Sequence, residues 1–218
     1  MIIQAAQQSI ELLPEKAFVW KSEKLLGLSD LHLGKAESYQ AAGVPLPSGG
    51  HREDLDRLSD LIHHHHIKKA VILGDWIHNR FSLSEFVVRD FLSFFAAHEN
   101  VEWTLLLGNH EKGSDEILRN MPFHFVEEEL TIGPFLMTHG HKNPHSPLFQ
   151  IQGHIHPIVN IHQGALRLKL PCFVLDSNSL TIPAFGSMTG GFTIKPQLNR
   201  RILAIGHGEI FEVERPQI

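Results

Sequence analysis

The sequence contains a single cysteine, Cys172, in 218 residues. A lone thiol forms no internal disulfide and supplies no thiolate metal site. It fits a reducing compartment, so the expected location is the cytoplasm. Long apolar runs are missing too. None approaches the roughly 18 residues needed to cross a bilayer, and the opening "MIIQAAQQSIELLPEK" lacks the basic-then-apolar order of a secretion signal. No membrane association is expected. Positive charge is scarce: 19 Lys and Arg stand against 24 Asp and Glu, a formal charge of −5. That argues against a broad basic surface wrapped around a duplex. It does not exclude a nucleic-acid substrate, because metal ions in a cleft can supply positive charge locally. Walker A and G-x-G-x-x-G loops are absent, and "HENVE" and "HEKGS" both lack the second histidine of H-E-x-x-H.

What the chain has in excess is histidine, 17 residues of it, the side chain most used for metals. The length predicts one domain over 1–218. Strands are predicted at 17–20, 24–29, 69–75, 101–108 and 134–140. A helix over 51–64 carries Leu55, Leu58, Leu61 and Ile62 on one stripe. A second helix is expected to start at Ser82, where "SLSE" reads as a capping box closed by Glu85, with Val87, Phe91, Phe94 and Phe95 facing inward. A short third helix starts near Ser114. Beyond residue 150 the pattern turns mostly to strands: "PIVNIH", "LRLKLPCFVLD", "SLTIPAF", "RILAIG" and "EIFEVE". Loops rich in Gly and Pro occupy 41–50, 139–148 and 183–196. An opening strand, βα units and a β-rich second half together predict a mixed α/β sandwich.

The strong strands all run out into Asp, Asn or His. "LLGLS" ends in Asp30-Leu31-His32, and "AVILG" in Asp75 and His78. "WTLLLG" ends in Asn109-His110-Glu111, "FLMT" in His139-Gly140-His141, and "IQG" in His154-Ile155-His156. Residues two apart on extended chain share a side, so Asp30 and His32 converge. Functional groups in α/β sheets gather where loops leave the carboxyl ends of strands. Imidazole, carboxylate and one amide oxygen suit manganese, iron or zinc. Five loops offer more ligands than one ion needs, and two ions sharing a bridging carboxylate would use them.

"DLH", "GDWIH", "GNHE", "THGH" and "GHIH", spread over residues 30–156, resemble in order and approximate spacing the calcineurin-like metallophosphoesterase superfamily. Further stretches, "DLHLGKAESYQAAGVPLPSG", "GHIHP" and "IPAFGSMTGG", resemble its ligase-associated DNA-damage-response endonuclease branch (PdeM-type), over nearly the whole chain. The resemblance implies a four-layer α/β sandwich: two mixed central β-sheets flanked by helices, with two divalent metal ions at the strand ends. Manganese is the expected metal, with iron and zinc as the alternatives. Asp30, His32 and His156 would bind one ion, Asn109, His139 and His154 the other, and Asp75 would bridge them. His110 would be the catalytic residue, off the metals and facing the substrate phosphate. Glu111 stands where many members have Asp. His78 and His141 are expected at the cleft wall or supporting the ligands.

The expected reaction is attack of metal-activated hydroxide on phosphorus, with His110 donating to the departing oxygen. The branch resemblance implies single-stranded or damaged DNA as the substrate, with a ligase and a helicase as partners. A small phosphate ester or nucleotide is the alternative substrate. A non-catalytic scaffold would have lost ligands, and none is missing. Taken singly, Asp75 reads equally as a helix cap and Asn109 as a turn residue. The run His63 to His66 sprays four rings around a helix end and reads as solvated. Cys172 reads as a small buried apolar residue. Lys35, Arg52 and Arg80 are read either as phosphate contacts or as solvated charges, and "AFGSMTGG" as a turn ahead of a phosphate nest.

Overall fold

Alternating apolar residues assemble two mixed β-sheets in the computed structural model, which describes residues 1–141, 146–163 and 166–213. The first sheet sets seven strands side by side in chain order: β1 (Ile2–Ala5), β2 (Gln8–Leu13), β3 (Ala17–Trp20), β4 (Leu25–Leu28), β5 (Lys69–Leu73), β6 (Glu102–Leu106) and β7 (Phe123–Val126). From β1 to β4 the neighbours are antiparallel; from β4 to β7 they are parallel. The second sheet holds β8 (Glu129–Ile132), β9 (Phe135–Thr138), β10 (Phe149–Gln152), β11 (Pro157–Gln163), β12 (Leu166–Asp176), β13 (Ser179–Thr181), β14 (Phe192–Thr193), β15 (Arg201–Gly206) and β16 (Glu209–Glu212). Within it β10 pairs in parallel with both β9 and β13.

The helices are α1 (Lys35–Ala41), α2 (Gly50–His64), α3 (Glu85–Ala97) and α4 (Asp115–Leu118). Successive strand residues face opposite sides, and β5 shows how this divides the core. Ala70 and Ile72 pack with Leu58 and Ile62 of α2 and Phe91 and Phe95 of α3. Val71 and Leu73 face the other way, onto Phe135, Met137, Ile151 and Phe173 of the second sheet. The two expected mixed sheets are therefore present. Among the described residues every helix precedes residue 119. The outer face of the second sheet is closed instead by Val159, Cys172, Val174 and Ile194. Cys172 is fully buried, and burial pushes its thiol up to about 12.

The expected start of α3 at Ser82 is wrong. Asn79 and Ser82 form a capping box around the short turn Arg80–Ser82, the Phe81 N–H donating to the Asn79 side chain at 2.9 Å. Ser84 has the extended backbone that an N-cap needs and accepts from the Val87 N–H at 3.4 Å. His63, His64 and His66 are exposed at the end of α2. Part of the predicted loop 139–148, at 142–145, and position 214 of the last predicted strand lie outside the described residues.

Candidate active site

The carboxyl ends of the parallel strands β4, β5 and β6 meet those of β9 and β10. The loops are laced by backbone bonds: Asp30 N–H to the Gly74 carbonyl at 3.1 Å, His32 N–H to the Asp75 carbonyl at 2.9 Å, Gly153 N–H to the His139 carbonyl at 3.1 Å. Asp30, His32, Asp75, His154 and His156 all have left-handed φ, between 47° and 71°. Non-glycine residues rarely accept that conformation, and where they do the surroundings hold a side chain in place. Tight approach is needed as well. A Cβ on Gly108 would lie 2.1 Å from Asp75 Oδ1, and one on Gly74 (φ +86°) 2.3 Å from His139 Nδ1.

Asp75 is the hub. Its buried Oδ2 lies 3.4 Å from His139 Nε2, 3.7 Å from His32 Nε2 and 3.9 Å from His110 Nε2. Its Oδ1 accepts the His110 N–H at 3.1 Å. On one side Asp30 Oδ1 and His156 Nε2 are 3.1 Å apart, and His32 Nε2 is 3.4 Å from His156 Nε2. On the other, His139 Nε2 is 3.0 Å from His154 Nδ1 and 3.3 Å from Asn109 Oδ1. The His139 Nδ1–H donates to the Leu73 carbonyl at 2.7 Å, which leaves Nε2 facing inward. The His154 N–H donates to Asp30 Oδ2 at 2.8 Å and ties the two halves together.

These residues fit a pair of cations. Asp30 is fully buried, yet its Oδ1 accepts no hydrogen bond among the described residues. Acceptor atoms crowded together without donors are costly unless positive charge satisfies them. The ligand atoms of Asp30, His32 and His156 lie within 4.8 Å of one another, as do those of Asp75, His139 and His154.

The electrostatics point the same way. Burial alone would lower the His139 pKa, but the Asp75 and Asp30 carboxylates and the Leu73 carbonyl raise it to about 9. Burial would likewise raise Asp75, but the hydrogen bond and charge of His139 bring it down to about 2. Burial takes His32 down to about 3 despite Asp75 and Asp30. Without metal, a proton on His139 therefore supplies the positive charge that the carboxylates require.

The His110 ring is 30% exposed, and its Nδ1–H donates to the His78 carbonyl, turning Nε2 toward the cleft. His78 lies beside this group, its ring 5.7 Å from that of His32 and 5.3 Å from that of His110. Burial, with Lys35 nearby, lowers its pKa to about 4. The exposed His141 ring lies 5.4 Å from His139 and 6.1 Å from His154. Arg52 is committed elsewhere, to Asp90 at 2.7 Å. The "AFGSMTGG" loop is a turn pinned to α2, the Ser187 N–H donating to the Asp54 carboxylate.

One residue, noted in the sequence only for its departure from the family pattern, matters more than that reading gave it. Buried Glu111 accepts the Trp76 N–H at 2.7 Å, the Gly108 N–H at 2.8 Å and the Asp75 N–H at 3.3 Å. It thereby fastens the Asp75 loop to the Asn109 loop. Burial and the Asp75 charge push its carboxyl up to about 7, opposed by the Gly108 and Trp76 N–H groups. Glu111→Gln replaces one acceptor oxygen by a donor. It is expected to destabilise the fold by about 1–3 kcal/mol, read from the urea midpoint. An unchanged midpoint would show that this staple is not holding the loops.

Residues 23–185 match the calcineurin-like phosphoesterase family. The chain belongs to that family: it is a hydrolase of phosphoric esters, of a kind that holds divalent metals in a dinuclear site. Among solved structures it is similar to the Pseudomonas putida nuclease MPE, with 30% identity and a TM-score of 0.84, over 98% of this chain and 99% of that one. That full-length likeness agrees with the branch resemblance. The E. coli phosphoesterase Yfce (16% identity, TM-score 0.47, 87% of this chain and 97% of that one) is more distant. So is an archaeal phosphodiesterase (16%, 0.40, 87% and 98%). No curated protein matches.

Proposed function

We propose that the chain is a dinuclear-metal-dependent phosphodiesterase that cuts nucleic-acid strands. The observation that carries this reading is the single buried oxygen of Asp75, set between His32 at 3.7 Å and His139 at 3.4 Å. Asp30, His32 and His156 would hold one divalent ion and Asn109, His139 and His154 the other, with the Asp75 carboxylate available to both. Manganese is the proposed metal, and the donor set also admits iron and zinc. When bound, such a pair polarises the phosphoryl oxygens and lowers the pKa of water.

The rest is done by the chain. The Leu73 carbonyl keeps His139 Nε2 directed inward. The His78 carbonyl takes the Nδ1–H of His110, so the ring donates from Nε2 only when it carries both protons. In that state it hydrogen-bonds the substrate phosphate and passes a proton to the departing oxygen. His78 and His141 flank the cluster and line the cleft. The full-length likeness to a solved bacterial nuclease supports a nucleic-acid substrate. The branch resemblance supports single-stranded or damaged DNA, with a ligase and a helicase as working partners. The lone reduced Cys172 supports a cytoplasmic setting, and no helix of the described residues is long and apolar enough to cross a membrane.

Chelated enzyme resupplied with manganese, offered a phosphodiester, a phosphomonoester and a single-stranded oligonucleotide side by side, tests the substrate class. Turnover of the diester and the strand is expected. Preference for the monoester would move the protein to small-molecule phosphatases. Silence on all three would return the scaffold reading.

Metal uptake should also release protons. With a pKa of about 9, His139 is protonated at pH 7 in the metal-free chain, and a ligating ring must shed that proton. His32, lowered to about 3, has none to give. His139 is expected to contribute about one proton per chain at pH 7, a contribution that falls away as the pH rises past 9, on top of any proton lost by metal-bound water. Calorimetric titration in buffers of different ionisation enthalpy reads this number. A binding heat independent of buffer would contradict it.

A further inference from the structure

Tyr39, the one tyrosine of the sequence, lies on α1 and is 41% exposed. Its ring is nearly parallel to that of His78, at 10° and 6.0 Å between centroids. The His78 ring is in turn tilted 30° from His110 at 5.3 Å. Three aromatic faces therefore run outward from the group placed against the departing oxygen. Cations lie alongside. The Lys35 Nζ on the same helix donates to the Met188 carbonyl at 3.0 Å, and Arg80 sits 4.7 Å over the ring of Phe81, itself 58% exposed. The turn carrying Arg80 and Phe81 is fastened to α1 by the Asn79 amide, which donates to Ser38 Oγ at 2.7 Å.

Exposed rings beside cations match what an unpaired nucleotide offers, a flat π-face and a phosphate. A base inside a duplex keeps its faces stacked on its neighbours and cannot use such a surface without being flipped out. With a formal charge of −5, strand affinity has to draw on stacking more than on counterion release.

We propose that Tyr39, backed by His78, is the platform on which the unpaired base of the leaving-group nucleotide stacks, and that it makes cleavage depend on a base at that one position. The proposal rests on the phosphodiesterase reading with His110 at the departing oxygen. Arg80 and Phe81 flank the same strand.

The test uses manganese-loaded full-length enzyme and single-stranded oligonucleotides in which one stable abasic analogue is stepped through the sequence. In the wild type, kcat/KM at the bond whose leaving group has lost its base is expected to fall about tenfold, the size of one base–aromatic stack. Tyr39→Ala should show that loss already on the intact strand and no further loss on the abasic one. Tyr39→Phe keeps the aromatic face and should keep the dependence on the base. A disturbed fold would depress intact and abasic strands alike beneath an unchanged base dependence. Such a persistent dependence in Tyr39→Ala, or a wild type indifferent to the missing base, would overturn the proposal. A wild type that cleaves no strand at all would instead remove the phosphodiesterase reading on which it rests.

Discussion

Asp75→Asn should lower phosphodiester turnover by about 10³-fold or more while leaving the chain folded. The amide oxygen can still accept the His110 N–H that Asp75 Oδ1 accepts now. What is lost is the anionic Oδ2 between His32 and His139, the only atom shared by the two clusters in the proposed arrangement. Neither half then has a common ligand to fix its distance from the other. The variant should also bind less metal than the wild type, with a weakened second ion. Metal content and turnover measured on the same preparation separate this from misfolding. Retained activity in a folded Asp75→Asn protein would sink the bridging role.

His110→Ala should cost about 10²- to 10⁴-fold in turnover, the range for loss of a positioned acid, with metal content unchanged because the ring is not among the proposed ligands. The reach of Nε2 into the cleft is set by the Nδ1–H bond to the His78 carbonyl. A leaving group that departs readily as an anion needs no proton, so a nitrophenyl diester should suffer less than a nucleotide strand. Equal losses on both substrates would show that His110 acts other than by donating a proton.

The chemistry was more legible in the sequence than its supports. The apolar runs ending in Asp, Asn or His marked the loops, and the family resemblance singled out Asp30, His32, Asp75, Asn109, His139, His154 and His156 among them; the structure brings all seven together. The acceptors that aim the rings could not be seen, because the Leu73 and His78 carbonyls belong to the backbone and any residue type supplies them. Nor could the left-handed backbone at Asp30, His32, Asp75, His154 and His156, which composition does not signal. Glu111 stood in plain view beside Asn109 and His110. Its importance lies in accepting the Asp75 and Trp76 N–H groups of another loop together with the Gly108 N–H of its own, which only the fold gathers.

The fold shows the same division. Helices α2 and α3 announced themselves by apolar stripes, but the cap of α3 moved from Ser82 to Ser84. Two serines stand two residues apart there, and only the local backbone decides which one caps. The N-terminal hairpin of β1 and β2 went unpredicted although Ile3, Ala5, Ile10 and Leu12 alternate inward. Its turn places Ala6 and Gln7 at φ 46° and 63°, where Gly or Asn is the usual signal. Without that signal the two short strands did not stand out.

The central claim is that two metal ions, held by seven side chains of this one chain, cut a nucleic-acid strand. It is tested most directly by titrating manganese into chelated enzyme while following cleavage of a single-stranded oligonucleotide. The account predicts no cleavage in chelator and a rise that completes only when two equivalents are bound. Full activity at one equivalent, or cleavage that persists without metal, would contradict it.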